Sequence, residues 1–217
     1  MNCIKPGFII ESEIDGDKIL KQIEKVARTC YKSEDRITSD SAAKFVGGLI
    51  KRGHEAMIEH SSITVRFICD RGVSHEIVRH RVASFGQEST RYCNYSNSKF
   101  GNEINVIDIE GGVKLDTKMK DLPPEIVSQI VEEWAQAMKD AEVHYIKMIE
   151  LGATPQMARS VLPNSLKTEI VVTMNMREWR HFFKLRTDIA AHPQMRELTL
   201  PLLAEFKKLI PVMFDDI

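Results

Sequence analysis

The chain has 217 residues, 43% of them hydrophobic and 28% charged, with a formal net charge of -1. That length and apolar content allow one sizeable core. The near-neutral balance excludes bulk attraction to nucleic acid or an anionic membrane, and no apolar run approaches the roughly 20 residues that cross a bilayer.

In chain order, Phe8 to Glu13 reads as a short strand. Asp17 to Tyr31 carries Ile19, Leu20, Ile23, Val26 and Ala27 at helical spacing, and Ser39 to Arg52 repeats the pattern with Ala42, Phe45, Val46, Leu49 and Ile50. Gly53 stands where that helix would be capped. Ser62 to Asp70 is β-branched and reads as a strand. Arg71-Gly72 reads as a turn, with a short helix from about Val73 that delivers Arg79-His80-Arg81 at its end. Tyr92 to Asn102 is polar and reads as a loop, and Ile104 to Ile109 as a strand. Pro123 to Leu151 is the longest helical signal, with a predicted inner face of Ile126, Ile130, Trp134, Ala137, Ala141, His144 and Met148. Thr154-Pro155 reads as an N-cap and first helical residue ahead of Arg159. Thr168 to Met174 reads as a strand. Asn175 then caps a helix through Leu185 to Arg186, and Pro193 opens a last helix to about Leu209. A few strands separated by long helices, without regular βαβα alternation, predict one α+β domain over residues 1–217.

The four cysteines, Cys3, Cys30, Cys69 and Cys93, form no CxxC pair. They predict reduced thiols in a cytoplasm rather than zinc ligands or a disulfide framework, and the N-terminus lacks a signal-peptide core. His54 and His60 do not fall on one helical face, so they read as capping or core residues rather than metal ligands. His144 reads as packed or partly exposed, Arg66, Lys207 and Lys208 as solvated charge, and Trp179, Phe182 and Phe183 as core.

The densest chemistry runs from Arg79 to Tyr92, with Arg79, Arg81 and Arg91 beside His80, Ser89 and Thr90, and Glu88 as the only acid. A solvated helix face would interleave acids for i,i+4 support. Clustered guanidinium groups beside hydroxyls instead suit bidentate contact with phosphates and heterocycles. A nucleotide is the first expectation, bound without a glycine-rich phosphate loop, since neither GxGxxG nor Walker A is present. Two other readings draw on the same residues. One is an RNA-binding module that stacks bases on Tyr92 and Tyr95. The other is an oligomerisation domain whose arginines form interchain ion pairs.

Arg79-His80-Arg81 followed by Ser89-Thr90-Arg91-Tyr92 resembles the signature of the flavin-dependent thymidylate synthases. Gly53-His54-Glu55 with Glu59-His60 is similar to that family's upstream segment. Ala158-Arg159-Ser160-Val161-Leu162-Pro163, then Asn175-Met176-Arg177 with His181-Phe182 and Leu185-Arg186, then Ala191-His192 with Met195-Arg196, are similar to its downstream blocks, in family order. The chain departs from the pattern at Gly86-Gln87, where Asn-Glu is usual, at His192, where Gln is commoner, and at Glu76, where Gln is frequent. A carboxylate at Glu76 would be unfavourable near a phosphate unless an arginine pairs with it.

The resemblance implies a small, mostly antiparallel sheet packed with long helices in a homotetramer, with active sites between subunits and no nucleic-acid or membrane partner. It implies reductive methylation of dUMP to dTMP, with methylenetetrahydrofolate giving the carbon, FAD giving the hydride and NADPH renewing the reduced flavin. By motif position it assigns Glu76, Arg79, Gln87, Glu88, Ser89, Thr90, Arg91, Arg159 and Arg186 to the nucleotide. Arg186 is the catalytic member, set at the uracil edge. It assigns His54, Ala56, Arg79, His80, Arg81, Gln87, Asn175, Arg177 and His181 to FAD, and no residue to a metal. Ser89 reads as a binding hydroxyl rather than a nucleophile, because no adjacent base is evident to activate it.

Overall fold

Two long strands fix the positions of everything else. The computed structural model describes residues 1–217, in the order β1 (Asn2–Ile4), β2 (Gly7–Ile10), α1 (Gly16–Arg28), α2 (Ser41–Lys51), β3 (Ser62–Asp70), α3 (Arg71–Ile77), β4 (Ala83–Gln87), β5 (Asn105–Ile107), α4 (Glu110–Leu115), α5 (Pro124–Glu150), α6 (Pro155–Ala158), β6 (Lys167–Asn175), α7 (Met176–Arg186), α8 (Pro193–Leu209) and α9 (Pro211–Phe214). β3 and β6 are antiparallel, with Ser62 opposite Asn175 and Asp70 opposite Lys167. β2 pairs with the outer side of β3 and β4 with that of β6, giving an antiparallel sheet in the order β2-β3-β6-β4. A separate parallel pair joins β1 to β5. The fold is thus α+β with a small antiparallel sheet, as expected.

Alternation along the strands sorts the two faces. Ile63, Val65, Phe67 and Cys69 of β3 and Ile170, Val172 and Met174 of β6 are buried on one face, in a core that also takes Ile23, Val46, Phe183, Leu202 and Phe214 from the covering helices. Trp179 is fully buried and donates Nε1–H to the Ile63 carbonyl at 3.0 Å. Its ring lies 5.4 Å from Phe182 and 5.6 Å from Phe183, centroid to centroid. On the opposite face Arg66 bonds Glu11 at 2.6 Å and Glu169 at 2.9 Å, so it is ion-paired rather than simply solvated. A second, smaller cluster around Tyr95, Ile104, Met138, Tyr145 and Leu166 sits beneath α5.

The predicted elements recur with shifts that have local causes. α3 starts at Arg71, not after a turn, because the Asp70 carboxylate accepts the Val73 N–H at 2.6 Å and caps the helix there. Gly53 has a φ of 69°, which places it just past the end of α2 in the left-handed region. The inward face of α5 overlaps the predicted one, with Trp134 and Met148 packed on the second cluster, but it is rotated from it. Met138 and Tyr145 are its buried residues, while Ala137 and His144 are exposed. His54 and His60 are both exposed at the ends of the 3-10 segment Glu55–His60, so neither is a core residue. Four elements lie outside the sequence-based expectations: β1, β4, α4 and α9.

Candidate active site

The site follows from where the strands let the chain go. β3 ends at Asp70, α3 leads back along the sheet, and β4 re-enters with Ala83 opposite Met174. The Arg79–Arg81 triplet therefore arrives beside α7, which starts just beyond that end of β6. Asn175 caps α7 by accepting the Glu178 N–H at 2.9 Å. β4 then runs the other way, to Gln87 opposite Ile170, and returns Ser89–Arg91 to the region where α3 began.

This path makes two groups of site residues. The first surrounds the start of α3. Arg71, His75, Thr90, Gln156, Arg159 and Asn164 line a cavity of about 450 Å³. Arg159 donates to the Thr90 hydroxyl at 3.4 Å, and Arg91 Nε donates to Gln156 Oε1 at 3.0 Å. Ser89 Oγ accepts the Arg91 N–H at 3.3 Å. Gln87 Nε2 donates to Ser74 Oγ at 2.8 Å and Thr168 Oγ1 at 3.3 Å, so its amide is held by the protein. Arg71 and His75 are additions to the expected set. Arg71 Nη1 is buried without a hydrogen-bond partner, a donor left open at a cavity that already holds Arg159. The family signature as written begins at Arg79, and only the start of α3 in space reveals these two.

Glu88 does not join this group. Its carboxylate accepts from Tyr95 Oη at 2.9 Å and from Lys167 Nζ at 3.1 Å, and it lines a different cavity with Cys93 and Arg66. Period-two alternation sends it to the face opposite Gln87. Burial with Glu88 alongside pushes the Tyr95 phenol well above its ordinary range. Tyr95 is 4% exposed, so it cannot stack a base, and the Tyr92–Tyr95 pair required by an RNA-binding reading is not presented.

The second group surrounds α7. Arg186 lies at its last turn and is held on three sides. Nη1 bonds Glu76 Oε2 at 2.7 Å, Nη2 the Glu76 carbonyl at 2.9 Å, and Nε the His80 Nε2 at 3.0 Å. The arginine that Glu76 needs is therefore present. His80 is 4% exposed, and burial lowers its pKa, although the Glu178 hydrogen bond raises it in part. Asn175, Arg177, Glu178 and His181 line a cavity of about 380 Å³ with Glu55 and Glu59. Arg177 bonds Glu59 at 2.7 Å and reaches Glu55 at 3.4 Å. His54 and Ala56 are exposed on the 3-10 segment beside these acids, and Arg79 and Arg81 are exposed beside His80.

The two groups meet through α3. His75 faces the first cavity while its neighbour Glu76 holds Arg186. Within one chain Arg91 and Arg159 come together, whereas Arg186 belongs to the other group. His80, Glu178 and His181 bring ligand-capable atoms within 4.8 Å of one another, but both His80 ring nitrogens are already engaged by Glu178 and Arg186.

Comparison with known proteins identifies the family and the fold. A family model described as thymidylate synthase complementing protein matches residues 14–212. A flavin-dependent thymidylate synthase of Geobacter sulfurreducens is 32% identical over 197 residues, covering 88% of this chain and 78% of the relative. Another from Pyrococcus furiosus is 32% identical over 177 residues, covering 81% and 67%. A crystal structure of the UMP/dUMP methylase PolB from Streptomyces cacaoi, bound with 5-Br dUMP, superposes with a TM-score of 0.80 at 23% identity, covering 99% of this chain and 96% of that one, a likeness of fold.

Proposed function

The chain belongs to the thymidylate synthase complementing protein family, that of the flavin-dependent thymidylate synthases, and on that premise we propose that it reductively methylates dUMP to dTMP. The co-substrates in this reading are methylenetetrahydrofolate as carbon donor and NADPH as the source of electrons. The observation that carries the reading is the double use of α3: one side opens on the cavity with Thr90 and Arg159, and the adjacent Glu76 fixes Arg186.

The nucleotide phosphate would be held by Arg91, Arg159, the hydroxyls of Ser89 and Thr90, and the backbone amides from Gln87 to Arg91. Arg79 and Glu76 would lie at the same ligand, and Gln87 would offer its carbonyl oxygen, since its amide nitrogen is engaged. Glu88 would act only from behind, by fixing the loop through Tyr95 and Lys167. Arg186 would face the uracil edge, stabilise negative charge at N3 and O2, and so raise electron density at C5. One such contact typically contributes about 3 kcal/mol to barrier lowering. Ser89 has no base beside it, and its oxygen already accepts a backbone N–H, which supports a route without a covalent enzyme–uracil bond.

The residues around α7 fit a flavin dinucleotide. Asn175, Arg177 and His181 bring donors to one cavity, His80 lies 5.6 Å from His181 by ring centroids, and Arg79 and Arg81 are exposed beside them. Bound there, reduced FAD supplies the hydride. The acids Glu55 and Glu59 orient Arg177 from the segment that carries His54 and Ala56. The assembly we propose is a homotetramer with sites between subunits. The exposed apolar residues Val82, Met157, Leu185 and Ile189 near both groups support it. The four free thiols support a cytoplasmic setting.

Tritium release from C5-labelled dUMP tests the reading. It should require FAD, NADPH and methylenetetrahydrofolate together. Arg186→Ala should nearly abolish release while the protein stays yellow. A colourless protein that takes up no FAD, or full turnover by Arg186→Ala, would defeat the assignment.

A further inference from the structure

We propose that Glu178 is a positioning residue that locks His80 in one tautomer and, through that tautomer, sets the orientation of the Arg186 guanidinium. Hydrogen-bond chemistry fixes the tautomer without appeal to any titration. An ionised carboxylate only accepts, so the Nδ1 that lies 2.9 Å from Glu178 Oε1 carries the hydrogen. An arginine only donates, so the Nε2 that lies 3.0 Å from Arg186 Nε is bare. One proton on the ring satisfies both bonds; the other tautomer loses both, and the imidazolium keeps the bond to Glu178 but loses the one from Arg186.

The ring has little freedom to turn. His80 stacks edge-on against Phe182 at 4.9 Å between centroids. Glu178 is held by its own backbone N–H on the Asn175 side chain. At the far end Glu76 takes the two remaining nitrogens of Arg186 with its carboxylate and its carbonyl. The charged and titratable groups facing His80 are Glu178, His181 and Arg186, all from α7, with Arg79 and Arg81 flanking it in sequence and exposed. The relay Glu178–His80–Arg186–Glu76 therefore runs from the cavity lined by Asn175 and Arg177 to the end of α3. A change at one end is felt as a rotation of the guanidinium at the other. As it concerns the reaction, this inference rests on the function proposed above; as it concerns the tautomer, it stands alone.

The test separates the two. In full-length protein with ¹⁵N-labelled histidine, without substrate or cofactor at pH 7.5, long-range ¹H–¹⁵N correlation should show His80 as the Nδ1–H tautomer. His80→Asn identifies its signals. Glu178→Leu should convert the ring to the Nε2–H form or a mixture and shift the Arg186 Nε–H resonance. With substrates it should lower kcat/KM for dUMP by roughly 10- to 100-fold, the cost that losing the carboxylate behind a metal-bound histidine typically carries. Glu178→Gln keeps an acceptor oxygen and should keep the tautomer. Because it removes the charge that raises the His80 pKa, it should move the acid limb of kcat/KM to lower pH, an effect that a purely structural side chain would not produce. If Glu178→Leu does not fold, the acid limb of Glu178→Gln decides. Wild-type His80 in the Nε2–H form, an unchanged tautomer in Glu178→Leu, or an unmoved acid limb in Glu178→Gln would each overturn the inference. If wild type releases no tritium yet the tautomer responds to Glu178→Leu, the relay stands and the proposed reaction falls.

Discussion

Glu76 shows how one residue's meaning depends on its neighbour. A carboxylate beside a nucleotide phosphate is repulsive, but bonded to Arg186 it becomes part of the device that orients the guanidinium. The pair is partly exposed, so its worth is about 1 kcal/mol. Glu76→Ala should therefore lower kcat/KM for dUMP by about fivefold, read by steady-state kinetics, with the Glu76 carbonyl and His80 still holding Arg186. An unchanged value would remove Glu76 from the site. His80 gives a pH prediction with a definite sign. Burial holds its folded pKa below the unfolded value near 6.5, so the unfolded chain takes up the proton first. Stability from this group is complete above pH 6.5 and declines as pH falls from there through the folded value. Urea midpoints measured at pH 7.5, 6.5 and 5.5 should fall toward acid, and fall less steeply in His80→Gln. Equal slopes in the two proteins would contradict it.

At the scale of elements, caps decide where the site residues stand. The Asp70 side chain starts α3, so Asp70→Ala should cost about 1 kcal/mol of stability. It should also raise the KM for dUMP, because α3 carries Arg71, His75 and Glu76 together. A stability loss with an unaltered KM would show that the helix is held by packing alone. Strand β3, strand β6 and helix α7 were legible in the sequence because their patterns are pure: alternation of β-branched residues in the strands, and an Asn cap before an aromatic-rich helix in α7. β4 was not, because Ala-Ser-Phe-Gly-Gln has little β character, and pairing with the exposed edge of β6 makes it a strand. α4 was hidden by Gly111-Gly112. Those glycines let the helix lie against α8, where a Cβ on Gly112 would come within 2.6 Å of Gln194 Cγ. Gly112→Ala should therefore destabilise the protein by about 1–3 kcal/mol despite its better helix propensity, measured by thermal or urea unfolding. A rise in stability would mean that Gln194 moves aside freely.

The whole molecule exposes more surface than its mass requires. Its accessible area is 11916 Å² for 24.8 kDa, against about 10,200 Å² for a typical monomer of that mass. The excess is matched by apolar residues in the open, including Tyr31, Val143, Leu151 and Tyr92, and by α5, a 27-residue helix with only Met138 and Tyr145 buried. Contiguous exposed apolar surface marks interaction sites, and in the homotetramer proposed above another copy would cover it. Light scattering on the purified protein should give the mass of four chains, and a monomer at micromolar concentration would remove the support for sites built between subunits.

The sequence by itself determined the family, the principal strands and helices, and the residue types of the candidate site, because ordered motifs and hydrophobic period are local properties of a chain. It could not determine that Arg186 is held by His80 and Glu76, that Arg71 and His75 join Arg159, or that Glu88 turns to Lys167 instead. Those pairings depend on the β3–β6 register and on the direction in which α3 returns along the sheet. Hydrogen bonds between residues some hundred positions apart leave no periodicity behind, and only the folded chain brings their donors and acceptors within reach.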